Sequence, residues 1–177
     1  AQTVTVTGIN DDIDDGNVNS TTTIAINTGS TADSAYDSVS SQTVTVTTTD
    51  NDTAGFTIAQ SSGSTTVAET GSTDTFTIVL DTEPTGDVVF ALTDNDTDNT
   101  EISYSPTALT FTAGNWNSAQ TVTVTGVDDS DVDGTITSAI TVAANTGSTA
   151  DSTYHSVSSQ TVTATTTDND VAAAFRY

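Results

Sequence analysis

The sequence predicts an all-β protein, a seven-stranded immunoglobulin-like antiparallel β-sandwich carried in tandem. Three observations support this. Thr, Val, Ile and Phe alternate with period two through Thr3-Val4-Thr5-Val6-Thr7, Thr75-Phe76-Thr77-Ile78 and Leu109-Thr110-Phe111, with β-branched residues on both faces. Clusters of Gly, Asn, Asp and Ser punctuate these runs at short intervals, and no stretch carries a helical period. Residues 1–52 recur at 119–170 with roughly 70% identity, a tandem duplication whose period contains a whole domain.

One complete repeat occupies residues 53–170. Its strands are predicted, in order, as A about 55–67, B 73–80, C 87–93, D 101–112, E 119–127, F 135–144 and G 160–167. Residues 1–52 form the back half (strands E, F and G) of a preceding repeat, and 171–177 begin the next one or form a tail. Three strands cannot close a sandwich. Either the chain boundaries cut an array, or another copy supplies the missing strands. Complementation between identical subunits is the physical route to a fibre. The run Val171-Ala172-Ala173-Ala174-Phe175-Arg176-Tyr177 departs from the Thr53-Ala54-Gly55-Phe56 start of a repeat.

Composition removes several function classes. The 24 acidic residues face a single basic one, Arg176, for a formal net charge of −23. Nucleic-acid binding needs Lys and Arg that the chain lacks, and an anionic membrane surface is disfavoured by the same charge. With no Cys, no Met and one His, disulfides and soft metal sites are not expected. No apolar run approaches the ~18 residues of a membrane span, so no membrane insertion is expected. No signal-peptide pattern is present, so export would be encoded elsewhere. Such a surface attracts cations.

The strand count locates the acid. Alternate connections of a sandwich lie at opposite ends, and strands A, C, E and G all finish at the end from which the chain leaves. That exit end is predicted to collect Glu69 after A, Asp94 and Asp96 after C, Asp128, Asp129, Asp131 and Asp133 after E, and Asp168 and Asp170 after G. The turns at the other end hold only Asp81, Glu83 and Asp151. Calcium takes six to eight hard oxygens at about 2.3–2.6 Å, which four converging loops can supply and no single loop here can. Unneutralised, carboxylates so gathered repel by about 1–4 kcal/mol per pair at 4 Å. Ca²⁺ is therefore the expected ion, with Mg²⁺ less suited because it sheds water reluctantly. The earlier copy keeps Asp11, Asp15, Asp50 and Asp52 at the places of Asp129, Asp133, Asp168 and Asp170. Asn10 stands for Asp128 and Ile13 for Asp131, so ligation at 131 would run through a backbone carbonyl. The bland alternative is a solvated anti-aggregation surface. The run Asp129-Ser130-Asp131-Val132-Asp133-Gly134 imitates the opening of an EF-hand loop, but its twelfth position is Ile140.

In this ordered set of residues the chain resembles the Calx-beta repeat, in the variety found in large bacterial surface proteins. The resemblance runs through Thr66-Val67-Ala68-Glu69, Asn115-Trp116, Gln120 to Gly126, Val127 to Gly134, Tyr154 and the junction Thr49-Asp50-Asn51-Asp52-Thr53-Ala54-Gly55-Phe56. It implies a calcium site built from Glu69, one of Asp94 or Asp96, Asp128, Asp129, Asp133, Asp168 and Asp170. Asn169 replaces a family acid, and a second Glu after Asp133 is missing, so one or two ions are expected per junction.

Other features carry less. Asn19, Asn51 and Asn95 lie in glycosylation sequons, although sequons arise by chance in Thr-rich strand sequence. The Thr-x-Thr rows lack the flatness that an ice-binding array needs, because sandwich sheets twist. A lone Trp116 reads better as a plug for a small core than as a sugar platform. Tyr36 and Tyr154 occupy equivalent places in the two copies, which fits a packing role, whereas His155 is Asp37 in the other. No Ser-His-Asp set is evident, and enzymatic activity is not expected. The expected function is a calcium-binding structural repeat of an extracellular bacterial surface or secreted filament protein. Its partners would be neighbouring repeats and possible identical subunits. The alternative is an adhesive or carbohydrate-binding module using the opposite loops, such as 145–158.

Overall fold

A computed structural model describes residues 1–95 and 101–172. The chain divides into two compact units, Ala1–Asp52 and Thr53–Tyr177. Among the described residues of the first unit the strands are β1 (Val18–Ile24) and β2 (Gln42–Thr48), an antiparallel hairpin. The second unit adds β3 (Phe56–Gln60), β4 (Thr65–Ala68), β5 (Thr73–Leu80), β6 (Val88–Asp94) and β7 (Ile102–Ser105). It continues with β8 (Ala108–Phe111), β9 (Gln120–Gly126), β10 (Ile136–Ala144) and β11 (Gln160–Thr167).

The second unit is a two-sheet sandwich. One sheet has the order β4-β11-β10-β6-β8 and the other β3-β5-β9-β7. Among its described residues nine strands therefore stand where seven were expected, because predicted strands A and D each change sheets. Strand A breaks at Ser61–Gly63, where Ser62 and Gly63 take positive φ (53° and 82°). Its first part, β3, pairs antiparallel with β5, whereas β4 pairs in parallel with β11. Strand D breaks at Pro106, which has no N–H to continue a ladder. β7 then pairs with β9 and β8 with β6.

Period-two patterning decides which side chains fill the core. Phe76, Ile78 and Leu80 of β5, Val88, Phe90 and Leu92 of β6, and Val122 and Val124 of β9 are buried, as are Ile140 and Val142 of β10. Phe90 lies between Phe56 (ring centroids 4.5 Å apart) and Phe111 (6.1 Å, edge-on). Trp116 packs partly buried against this cluster. Tyr154 is buried, its hydroxyl bonded to both the side chain and the carbonyl of Thr82 at 2.8 Å.

The first unit departs from expectation. Ala1–Gly8 has the same sequence as Ala119–Gly126, yet only the later copy forms a strand. The reason is pairing. β9 bonds to β5 and β7, both from the front half of the repeat, and residues 1–52 contain neither. The predicted strand E of the earlier copy is thus absent, while β1–β2 reproduces β10–β11 register for register.

Candidate metal centre

Four parts of the second unit meet at the pole where β4 and β11 end. Glu69 follows β4 and its N–H bonds to the carbonyl of Thr167, at the end of β11. Glu101, just before β7, accepts from the N–H of Val127, just after β9. The close approach needs a glycine. At Gly126 a Cβ would lie 2.1 Å from the Ala68 carbonyl oxygen, so backbone passes over backbone and brings Glu69 beside the 127–135 loop.

The loops are built by carboxylates that hold backbone N–H groups. Asp168 accepts from Asp170 N–H at 2.5 Å and from Gly134 N–H at 2.8 Å, with Gly134 at φ +81°. Asp129 accepts from Asp131 N–H at 2.8 Å. Asn169 works twice: its N–H bonds Glu69 Oε2 at 3.0 Å and its side chain bonds Asp128 Oδ1 at 2.8 Å.

Two groups of carboxylates result, sharing one member. One oxygen each from Glu69, Asp133 and Asp168 lie within 4.8 Å of one another, and so do oxygens from Glu69, Glu101 and Asp129. Glu69 is fully buried and its Oε1 has no hydrogen-bond partner; Asp170 Oδ2 is likewise buried and unpartnered. Electrostatics registers the crowding. The Asn169 N–H draws the Glu69 carboxyl down, but burial and repulsion from Asp168, Asp129 and Asp133 prevail and push it up. Burial, then the charge of Asp168, pushes Asp170 up. The N–H groups of Asp170 and Gly134 hold Asp168 below the usual carboxylate range.

The predicted ligands thus fall into distinct places. Glu69, Asp129, Asp133 and Asp168 gather in the two groups, with Asp170 beside them. Asp128 is clamped by Asn169, and Asp131 is exposed. Asp94 lies at the end of β6 beside the Tyr104 phenol and stands in neither group. Burial and that carboxylate raise the Tyr104 phenol to about 12. Asp96 lies outside the described residues. Glu101 was not anticipated. Its signal was available, because strand D starts at the exit end, so its first residue belongs to the same tip as the residues following C.

In the first unit the same loop scaffold recurs. Gly16, at φ +74°, donates to Asp50 Oδ2 at 2.6 Å, Asp52 N–H to Asp50 Oδ1 at 2.8 Å, and Ile13 N–H to Asp11 Oδ1 at 3.2 Å. Asp11, Asp15, Asp50 and Asp52 line one open pocket. The sequon residues are occupied to different degrees. Asn19 Oδ1 accepts from Thr47 at 2.6 Å and Asn95 Oδ1 from Ala139 N–H at 2.6 Å, while Asn51 is exposed.

The donor set fits a hard cation. All converging side chains are carboxylates, and two buried oxygens lack the partner that a buried polar atom ordinarily has.

No family model matches the chain, and nothing among curated proteins matches it. Among solved structures it is similar to the E. coli chaperone DraB (7% identity, 65% of this chain and 57% of that one, TM-score 0.43). It is also similar to domains 4 and 5 of the S-layer protein SbsC (21% identity, 72% and 63% covered, TM-score 0.39). A third is WR4, a C. elegans MSP family member (12% identity, 63% and 96% covered, TM-score 0.39). The chain spans less than two thirds of the first two. At these identities and scores the likenesses carry no functional argument. Among the described residues no helix is long and apolar enough to cross a membrane.

Proposed function

We propose that the chain is a calcium-binding structural repeat of Calx-beta type in an extracellular array, on a bacterial surface or secreted, in which the ion stiffens the junction after each repeat. The observation that carries this reading is Glu69: a fully buried carboxylate with an unpartnered oxygen, facing carboxylates from three other segments. A buried charge in that setting stabilises the fold only with a counter-ion. Glu69, Asp133 and Asp168 would hold one ion and Glu69, Glu101 and Asp129 a second, with waters or carbonyls completing the shell. The ion supplies positive charge and nothing else; the chain supplies position. Because Asp168 and Asp170 directly precede the residues leading out of the repeat, ligation there would hold the exit segment still.

The adhesive alternative draws no support from the opposite loop. Its Tyr154 and Asp151 are buried, with Asp151 bonded to Thr85 and Thr153.

The test is a calcium titration of chelator-treated protein followed by melting and small-angle scattering. At a concentration one hundred times Kd, binding to the native state adds about 2.7 kcal/mol. Melting curves that coincide in chelator and in millimolar Ca²⁺ reject the proposal, and equal gains from Mg²⁺ would reassign the ion.

A further inference from the structure

We infer that the face of residues 1–52 is the acceptor for a second front half of the repeat, of the pattern of residues 53–118, and that its docking is coupled to cation binding. The coupling rests on the cation reading above; the docking rests on packing alone.

The internal duplicate says what covers this face. β1–β2 has the register of β10–β11, but its inward side chains meet no second sheet. Val44 is 49% exposed where its equivalent Val162 is 1%, Ile24 is 57% where Val142 is 0%, and Tyr36 is 54% where Tyr154 is 1%. In the complete repeat the sheet facing β10 and β11 is β3-β5-β9-β7, of which only β9 has a sequence equivalent in residues 1–52, and β4 and β6 flank β11 and β10. Gly8 adds a backbone argument. Its equivalent Gly126 is where the Ala68 carbonyl crosses, whereas a Cβ at Gly8 would meet nothing nearer than Thr48 Cγ2 at 3.4 Å. The glycine makes room for a backbone that residues 1–52 do not contain.

The ligands divide along the same line. Glu69 and Glu101 come from the front half; Asp129, Asp133 and Asp168 come from the back half. All three back-half members have aspartate equivalents in the first unit, Asp11, Asp15 and Asp50. The two back-half acids that differ, Asp128 and Asp131, belong to neither group. Residues 1–52 therefore hold one side of a site whose buried glutamates a front half would deliver. Carboxylates on both sides repel until a cation joins them, so cation binding favours docking and docking completes the cation site.

The source is constrained by reach. In the complete repeat β3 starts beside the start of β11, where Gln160 bonds the Phe56 carbonyl, and β4 ends beside the end of β11. A front half seated on 1–52 would have to begin about 23 Å back from the exit end, at ~3.3 Å per strand residue. Asp52 is held at that end through Asp50, and the four steps to Phe56 span at most about 14 Å. The chain's own 53–112 cannot reach. In a second copy the front half is already seated on its own 119–170.

The experiment compares the 177-residue chain with one carrying an added copy of residues 53–118 ahead of Ala1. Calcium stoichiometry is read by calorimetry and the amides of 18–48 by hydrogen exchange, each with Ca²⁺ and with chelator. The expected result is a doubled stoichiometry and exchange slowed at least 100-fold in the extended chain, with Ca²⁺ present. Val44→Asp in the extended chain should abolish both gains and leave binding at 119–170 intact. Unchanged stoichiometry and exchange, with binding at 119–170 retained, overturns this inference alone. Calcium-independent protection overturns the coupling. No calcium binding by either chain sinks the functional reading itself and with it the coupling, and exchange then judges docking separately. Self-association of the original chain that protects 18–48 would make a second copy the occupant and overturn the inference.

Discussion

Glu69→Gln separates a cation centre from a solvated acidic surface, because the two readings give opposite pairs of outcomes. Gln retains an acceptor for the Asn169 N–H and removes the charge from a side chain that faces Asp129, Asp133 and Asp168. At 4.8 Å a like-charge pair costs a factor of about 4 in population even at the dielectric of water. Three such pairs multiply to roughly 80-fold, and a lower local dielectric enlarges that. Without calcium, the variant should therefore be more stable than the parent, its folded-to-unfolded ratio higher by up to about that factor. With calcium the order should reverse, since a shared charged ligand is gone and affinity falls by about 100-fold. Urea denaturation of both proteins, in chelator and in millimolar Ca²⁺, reads all four stabilities. A variant that gains as much from calcium as the parent, or that loses stability in chelator, refutes the reasoning.

The remaining predictions concern packing and pH. Gly126→Ala should destabilise the second unit by about 3 kcal/mol or more, because its Cβ would meet the Ala68 carbonyl, while Gly8→Ala should leave the melting curve unchanged. Phe90→Ala should cost about 3–5 kcal/mol, since its ring is wholly buried between Phe56 and Phe111, whereas Val44→Ala should cost almost nothing; chemical denaturation measures both. In chelator, stability should rise as the pH falls from neutral toward the raised carboxyls of Glu69 and Asp170, because the native state binds protons there more readily than the unfolded chain. Below about 3.8 it should fall, as Asp168 and Asp151 lose the contribution of their depressed values. Calcium affinity should decline over the first of these windows, which calorimetry at pH 7 and pH 5 would show.

Much of the site was legible because its logic is topological. Counting strands puts the residues after A, E and G at one pole, and Glu69, Asp129, Asp133 and Asp168 do gather there. The count said less about how far each strand runs. Asp94 stops beside Tyr104, still opposite Ile140 in the ladder, and Glu101 takes a place at the tip instead. Burial was also invisible. Glu69 and Glu101 are polar letters that sequence patterning assigns to the surface, yet the crossing of Ala68 over Gly126 closes over Glu69.

The sequence by itself determined the strand character, the turns and the repeat, because alternation and turn chemistry are local properties of the chain. Only the tertiary structure decided which of those strands exist. Gln120–Gly126 is a strand between β5 and β7, and the identical Gln2–Gly8 is not, since a strand's hydrogen bonds are completed by another strand and residues 1–52 hold no partner for it.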